Sequence, residues 1–145
     1  MPKQVSDSEV VESRTQQSEN SKRATFDMLK SKKRAEREVV LQFPGEDGTE
    51  EITMLFRAVG SQVYDKLLSK NPPTTEQKAD GSVYNINTFG PDLLSKVCVD
   101  PDLSPQQWRE IWQSEDWNRG EVMQLFVTAA ELCNKGLDIP FFEQD

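Results

Sequence analysis

Apolar positions along this chain change period several times, and each change marks an element. From Glu38 the text runs EVVLQF, PGEDGT and EEITMLF. Val39, Leu41 and Phe43 fall on alternate positions, as do Ile52, Met54 and Phe56, and the Pro, Gly and Asp between the two runs favour a reversal of the chain. The pattern predicts a β-hairpin over 38–56. From Arg57 to Ser69 the period becomes helical: Phe56, Val59, Val63, Tyr64, Leu67 and Leu68 recur at three and four residues and make one apolar stripe. Asn71-Pro72-Pro73 ends that helix, because proline has no amide to donate and disfavours helix in the residue before it. The segment TTEQKADGSVYNINTFGP is mostly polar and reads as a connection with a turn at Asp80-Gly81, anchored on the core by Tyr84, Ile86 and Phe89. Phe89, Leu93, Leu94, Val97 and Cys98 then predict a short helical face ending near Val99, and Asp100-Pro101-Asp102 turns the chain.

The densest pattern lies between Ser104 and Gly136 and predicts two helices in tandem. In SPQQ, Ser104 can accept from a free amide of the first turn, Pro105 needs no donor there, and Gln107 can reach back to the Ser104 amide. Leu103 and Trp108 bracket that start as a hydrophobic staple. Asn118 and Glu121 repeat the device, with Trp117 facing Val122. Trp108, Ile111 and Trp112 form the apolar face of the first helix; Val122, Leu125, Phe126, Ala129, Ala130 and Cys133 form that of the second. Gly136 is a natural stop.

The expected fold is therefore α+β and mainly α: a β-hairpin near the N-terminus followed by a compact bundle of about four helices, with a flexible N-terminal tail. Residues 1–21 are rich in Ser, Gln and Glu and cannot bury enough surface to offset the entropy of ordering, so a disordered tail is expected there. Residues 22–37 form a partly helical basic arm, 38–136 the mainly helical domain, and 137–145, LDIPFFEQD, an aromatic tail.

Charge sharpens this division. The net charge of the 145 residues is -8, yet residues 22–37 hold seven basic and two acidic side chains, against eight basic and 19 acidic in 38–145. A basic arm suits nucleic acid or an acidic protein surface. With Phe26 as its one aromatic it lacks the several stacking rings of a single-strand binder, so a solvated segment that neutralises acidic surface is the simpler reading. No apolar run approaches the roughly 18 residues of a membrane span, and the N-terminus lacks a secretory layout. The expected setting is cytosolic, with no membrane partner.

Catalytic chemistry finds little footing. The chain has no histidine, which removes the usual zinc sites and His-based triads. Cys98 and Cys133 lie on apolar faces, where a free thiol behaves as a small hydrophobe. Asp100, Asp102 and Ser104 have the opening spacing of a calcium loop, but Pro105 and Ile111 stand where that loop needs glycine and glutamate. No phosphate-cradling glycine loop occurs. No catalytic residue, metal ligand or cofactor is assigned, and a non-enzymatic binding module is expected.

Between Lys33 and Lys135 the order of motifs carries a resemblance. R-A-x5-Y-D-x-L-L begins at Arg57, NPPTTEQ at Asn71, YNINTFGPDLL at Tyr84, VDPDLS at Val99 and WQSEDWNRGEV at Trp112. Together they resemble the tail assembly chaperones of long-tailed bacteriophages, in particular those of actinobacteria. The resemblance implies a non-catalytic protein of the infected cell's cytoplasm, absent from the mature virion, that binds the tape measure protein, keeps its apolar helical segments from aggregating and promotes assembly of the tail tube. It implies the shorter, non-frameshifted form, with the tail tube protein, a frameshifted longer form and further copies of itself as additional partners, and no nucleic acid. The alternatives are a structural or accessory tail protein retained in the virion and a nucleic-acid-binding regulator working through Lys22 to Arg37. For partner contact the expected residues are Trp108, Trp112, Trp117, Phe141 and Phe142: three tryptophans so close together exceed the needs of a small core, and apolar groups at a polar terminus dock on something.

Overall fold

The computed structural model describes residues 21–140. The expected tail of residues 1–21 falls, but for Ser21, outside the described residues, as do Phe141 and Phe142. Among the described residues, six helices and a three-stranded antiparallel sheet make the fold a mixture of α and β with helix predominant. The chain divides into two compact units: Arg34–Lys135, and the segments on either side of it.

In the flanking unit, α1 (Phe26–Lys30) is one short turn of helix started by Thr25, whose hydroxyl accepts from the Met28 amide at 3.2 Å. Of the arm expected over 22–37, the rest of the stretch up to Lys33 is irregular, so helix occupies only part of it.

The larger unit begins with β1 (Glu36–Gly45), so the last two residues of the expected arm belong to the sheet. β1 pairs antiparallel with β2 (Gly48–Arg57) in a register that sets Val39 opposite Met54 and Leu41 opposite Ile52. Both strands reach beyond the expected limits of 38–56. The reversal at Glu46-Asp47 is followed by Gly48 at φ +116°, a conformation open to glycine and strained for other residues. Because β2 runs through Arg57, the next helix, α2 (Ser61–Lys70), starts four residues later than its stripe suggested. Its end at Asn71 is as expected.

The polar connection after it contains a helix that apolar periodicity could not reveal. α3 (Thr75–Ala79) has no buried residue, but Thr74 and Gln77 close a complete capping box at 2.9 and 3.1 Å. α4 (Ile86–Val97) starts at the cap Asn85, carries Pro91 inside it, and buries Phe89, Leu93, Leu94 and Val97. It is the centre of the unit: α2, β3 (Cys98–Asp100), α5 (Pro105–Gln113) and α6 (Arg119–Asn134) all pack on it. β3 pairs with β2 at Phe56 and Leu55, giving the order β1-β2-β3. Three residues cannot display a period of two, so this strand left no mark in the pattern. Cys98 stands in β3 and not on the helical face expected of it.

Both tandem capping boxes form, Ser104 with Gln107 at 2.9 and 3.1 Å and Asn118 with Glu121 at 2.8 and 2.9 Å. The core they help to close joins Met54 and Phe56 of the sheet to Phe89, Leu93, Leu94, Trp108, Leu125, Phe126 and Ala129 of the helices. At its middle, Phe89 meets Tyr84, Tyr64 and Phe126 with ring centroids 4.9, 5.6 and 5.6 Å away, the last two edge-on, a geometry aromatic quadrupoles favour.

Candidate functional site

The three tryptophans part company in the structure. Trp108 sits on the inner face of α5 and is 2% exposed, with no hydrogen-bond partner for its indole N–H. It fills the core and presents nothing to a partner, which corrects its assignment as a contact residue. Its place follows from the sequence: the Ser104 box fixes where α5 starts, and that start turns the fourth helical residue inward. Trp112, one turn later, is half-buried; its ring covers Gly90 of α4 so closely that a Cβ there would overlap it. Its indole N–H points to the Asn87 side-chain oxygen at 3.5 Å. Trp112 thus joins two helices and shows only part of its ring.

Trp117 lies in the link between α5 and α6 and is half-buried at the edge of the core. It is the side chain that two surface troughs share. On one side a trough of about 400 Å³ runs along Leu103, Ile111 and Trp117, with Gln107, Glu110, Ser114 and Asp116 at its rim. On the other, a narrower one of about 150 Å³ lies between the hairpin and α6, where Leu41, Phe43 and Leu125 face Trp117 beside Glu121 and Gln124. On the Leu41 face the hairpin continues the apolar surface outward through Ile52, which is exposed. A third hollow of about 500 Å³ lies at Glu36, Arg37, Glu131, Leu132, Asn134 and Lys135, with both signs of charge among its lining residues.

The sequence around Trp117 leans acidic: Glu110, Glu115, Asp116 and Glu121 stand against Arg109 and Arg119. The ion pairs among the described residues, Arg57 with Glu36 at 2.6 Å and Arg109 with Asp92 at 3.5 Å, leave Glu110 and Asp116 without a cation. Of the expected contact residues, then, the structure half-buries Trp112 against α4 and Trp117 in the link, buries Trp108, and does not describe Phe141 or Phe142. Leu103, Ile111, Leu41 and Phe43 were legible only as staple, helix face and strand face. Their meeting at Trp117 depends on how the elements pack.

Titrating groups are tuned by burial and by little else. Desolvation pushes the Cys98 thiol up from 9.0 to about 11, helped by the negative charges of Asp100 and Asp102, while the thiol donates to the Pro101 carbonyl at 3.2 Å. Burial likewise raises Cys133, and raises Tyr84 with a smaller contribution from Tyr64. Raised thiols are poor nucleophiles. The buried polar node is Asn71, whose side-chain amide donates to the Leu67 carbonyl at 2.7 Å and to Asp92 at 3.2 Å, while its own carbonyl accepts from the Asn85 amide at 2.8 Å. Asp92 in turn pairs with Arg109, so one chain of polar contacts links α2, α4 and α5. That is a structural role, and the sequence had offered Asn71 only as part of a helix stop.

No protein-family model matches the chain, and no curated protein or solved structure is significantly similar to it.

Proposed function

We propose that this protein is a tail assembly chaperone of a long-tailed bacteriophage, the shorter non-frameshifted form, which binds the tape measure protein and promotes tail tube assembly without catalysis. It acts in the host cell cytoplasm and is left out of the mature virion. The ordered motifs from Arg57 to Val122 suggest the family, and the apolar seam at Trp117 is the observation that carries the reading. A client rich in apolar helix needs a surface where anchors spaced at three and four residues can lie. A half-buried tryptophan between two troughs, with Ile111, Leu103, Leu41 and Phe43 along them, supplies such a surface. The acidic rim keeps it soluble while it stands open. In this reading the hairpin and the bundle of about four helices hold the seam rigid, Trp112 and Trp117 make contact, and Phe141 and Phe142 are further contact candidates.

Co-expression with the tape measure protein tests the proposal. The full chain is expected to raise the soluble yield of the tape measure protein and to co-purify with it, and Trp117→Ala is expected to lower both several-fold while the protein stays folded. Unchanged yield together with no co-purification would sink it. Mass spectrometry of purified virions separates the chaperone from a retained tail subunit, which would be present in stoichiometric amount.

A further inference from the structure

We infer that the outer edge of β1 is a docking site for an extended strand of another protein, one whose side chains alternate between apolar and basic. The site rests first on backbone groups. In the order β1-β2-β3, β1 is paired along one side only, over the whole of Glu36–Gly45 and without a bulge. One bond fixes which of its amides that pairing uses: the Ala58 amide donates to the Ala35 carbonyl at 2.8 Å. In an antiparallel ladder, bonded and unbonded pairs alternate. Arg37, Val39, Leu41 and Phe43 therefore direct their amides to β2, and Glu36, Glu38, Val40 and Gln42 direct theirs away from it. Among the described residues no strand meets those outward amides. Pro44, next in the outward series, has no amide to offer, and a strand tolerates proline where its nitrogen faces away from the ladder.

The side chains along this edge define what fits it. Val39 is buried and Leu41 and Phe43 are half-buried on one face of the hairpin, whereas Glu36, Glu38, Val40 and Gln42 are exposed on the other. A strand added beside β1 continues both faces, because its own side chains alternate in the same way. Its apolar residues then lie next to Leu41 and Phe43, and the residues between them lie next to Glu36 and Glu38. Glu36 is paired with Arg57, while Glu38 is in no ion pair among the described residues. Residues 38–56 hold five carboxylates and no basic side chain. Opposite charges on neighbouring strands stabilise and like charges destabilise, so the intervening residues of the occupant are basic. Charge disfavours a second copy, whose hairpin would bring five more carboxylates to the contact. The chain's own ends also fit poorly. Residues 137–145 hold three carboxylates, no basic side chain and Pro140, and the basic stretch before β1 has Phe26, Met28 and Leu29 in a helix.

Fluorescence anisotropy and amide exchange by NMR test this on the full-length protein, with a labelled octapeptide of alternating lysine and valine as the probe. No tape measure protein is involved, so the outcome is separate from that of the chaperone reading. The alternating peptide is expected to bind. A peptide with the same lysines and valines in two blocks, or with glutamate in place of lysine, is expected to bind about tenfold more weakly or not at all. On binding, the amides of Glu38, Val40 and Gln42 are expected to gain protection, while those of Val39 and Leu41 are protected before and after. Val40→Pro removes one outward donor and leaves the ladder bonds of its neighbours in place, so it is expected to fold and to bind about tenfold more weakly. Glu38→Lys is expected to weaken binding of the lysine peptide and strengthen that of the glutamate peptide. An alternating peptide that fails to bind, or a blocked one that binds as tightly, would overturn the inference. So would protection that falls on Thr49, Glu51 and Thr53 of β2, or on none of these amides. Protection of Glu38, Val40 and Gln42 before any peptide is added overturns it too, since a second copy or the chain itself then covers the edge. Should Val40→Pro fail to fold, Glu38→Lys decides alone, and an unchanged preference between the two peptides sinks the inference.

Discussion

Trp108 and Trp117 are nine positions apart, equally apolar, and physically unlike. Trp108 is enclosed on every side, so Trp108→Ala leaves a cavity and is expected to cost about 3–5 kcal/mol, the range of buried aromatic truncations. Trp117 keeps part of its ring in water at the edge of two troughs, and Trp117→Ala is expected to cost about 1 kcal/mol, the centre of the distribution for point changes. Urea denaturation of the two variants measures the difference, and equal losses would place Trp117 in the core instead of at a contact surface. Cys98 gives a second expectation at this scale. Its thiol is held protonated up to about pH 11, whereas in the unfolded chain it ionises near 9.0. The folded state therefore has the raised value, and the stability this contributes is present below pH 9 and is lost as pH rises towards 11. Denaturation at pH 7, 9 and 10.5 should show a fall that Cys98→Ala reduces, and alkylation of the folded protein at pH 8 should be slow at Cys98.

Three capping boxes built on one chemical plan serve helices of very different standing. α5 and α6 bury Trp108, Val122, Leu125 and Phe126, so loss of a cap there is felt by the whole domain. Ser104→Ala and Asn118→Ala are each expected to lower global stability by about 1 kcal/mol. α3 buries nothing. Thr74→Ala is expected to release that helix locally, seen as faster amide exchange over 75–79 with little change in the global transition, since an element with few packed contacts opens independently. Amide exchange with denaturant melts distinguishes the two outcomes, and equal global effects would show that α3 is coupled to the core more tightly than its exposure implies. α3 also marks how far the text was legible at this scale. Thr74-Thr75-Glu76-Gln77 spells a capping box as clearly as Ser104-Pro105-Gln106-Gln107 does, but no apolar stripe follows to draw attention to it.

At the scale of the molecule, charge is sorted along the chain and the core is gathered across it. Residues 34–135 carry ten basic and 17 acidic side chains, residues 21–33 five and one. Such separation favours contact between unlike segments over contact between like ones, and it makes every proposed association of this protein salt-sensitive. The apolar seam lies within the acidic part.

The starts of α5 and α6, the helical stripes and the pairing of two strands about a short reversal followed from local chemistry: caps, periodicity and turn residues act within a few positions, and nothing distant had to be known. The contrast in charge between the basic arm and the acidic body is a matter of composition alone. Only the tertiary structure decided which tryptophan is core and which is surface, because each stands at an apolar position and they differ in what α4, α6 and the hairpin bring up against them. It also decided the third strand, too short to show a period, and the bond from Asn71 to Asp92, which spans 21 residues. The troughs belong to the same class. Leu41, Leu103, Ile111 and Trp117 come from separate elements, and a surface made by several elements exists only once they are packed.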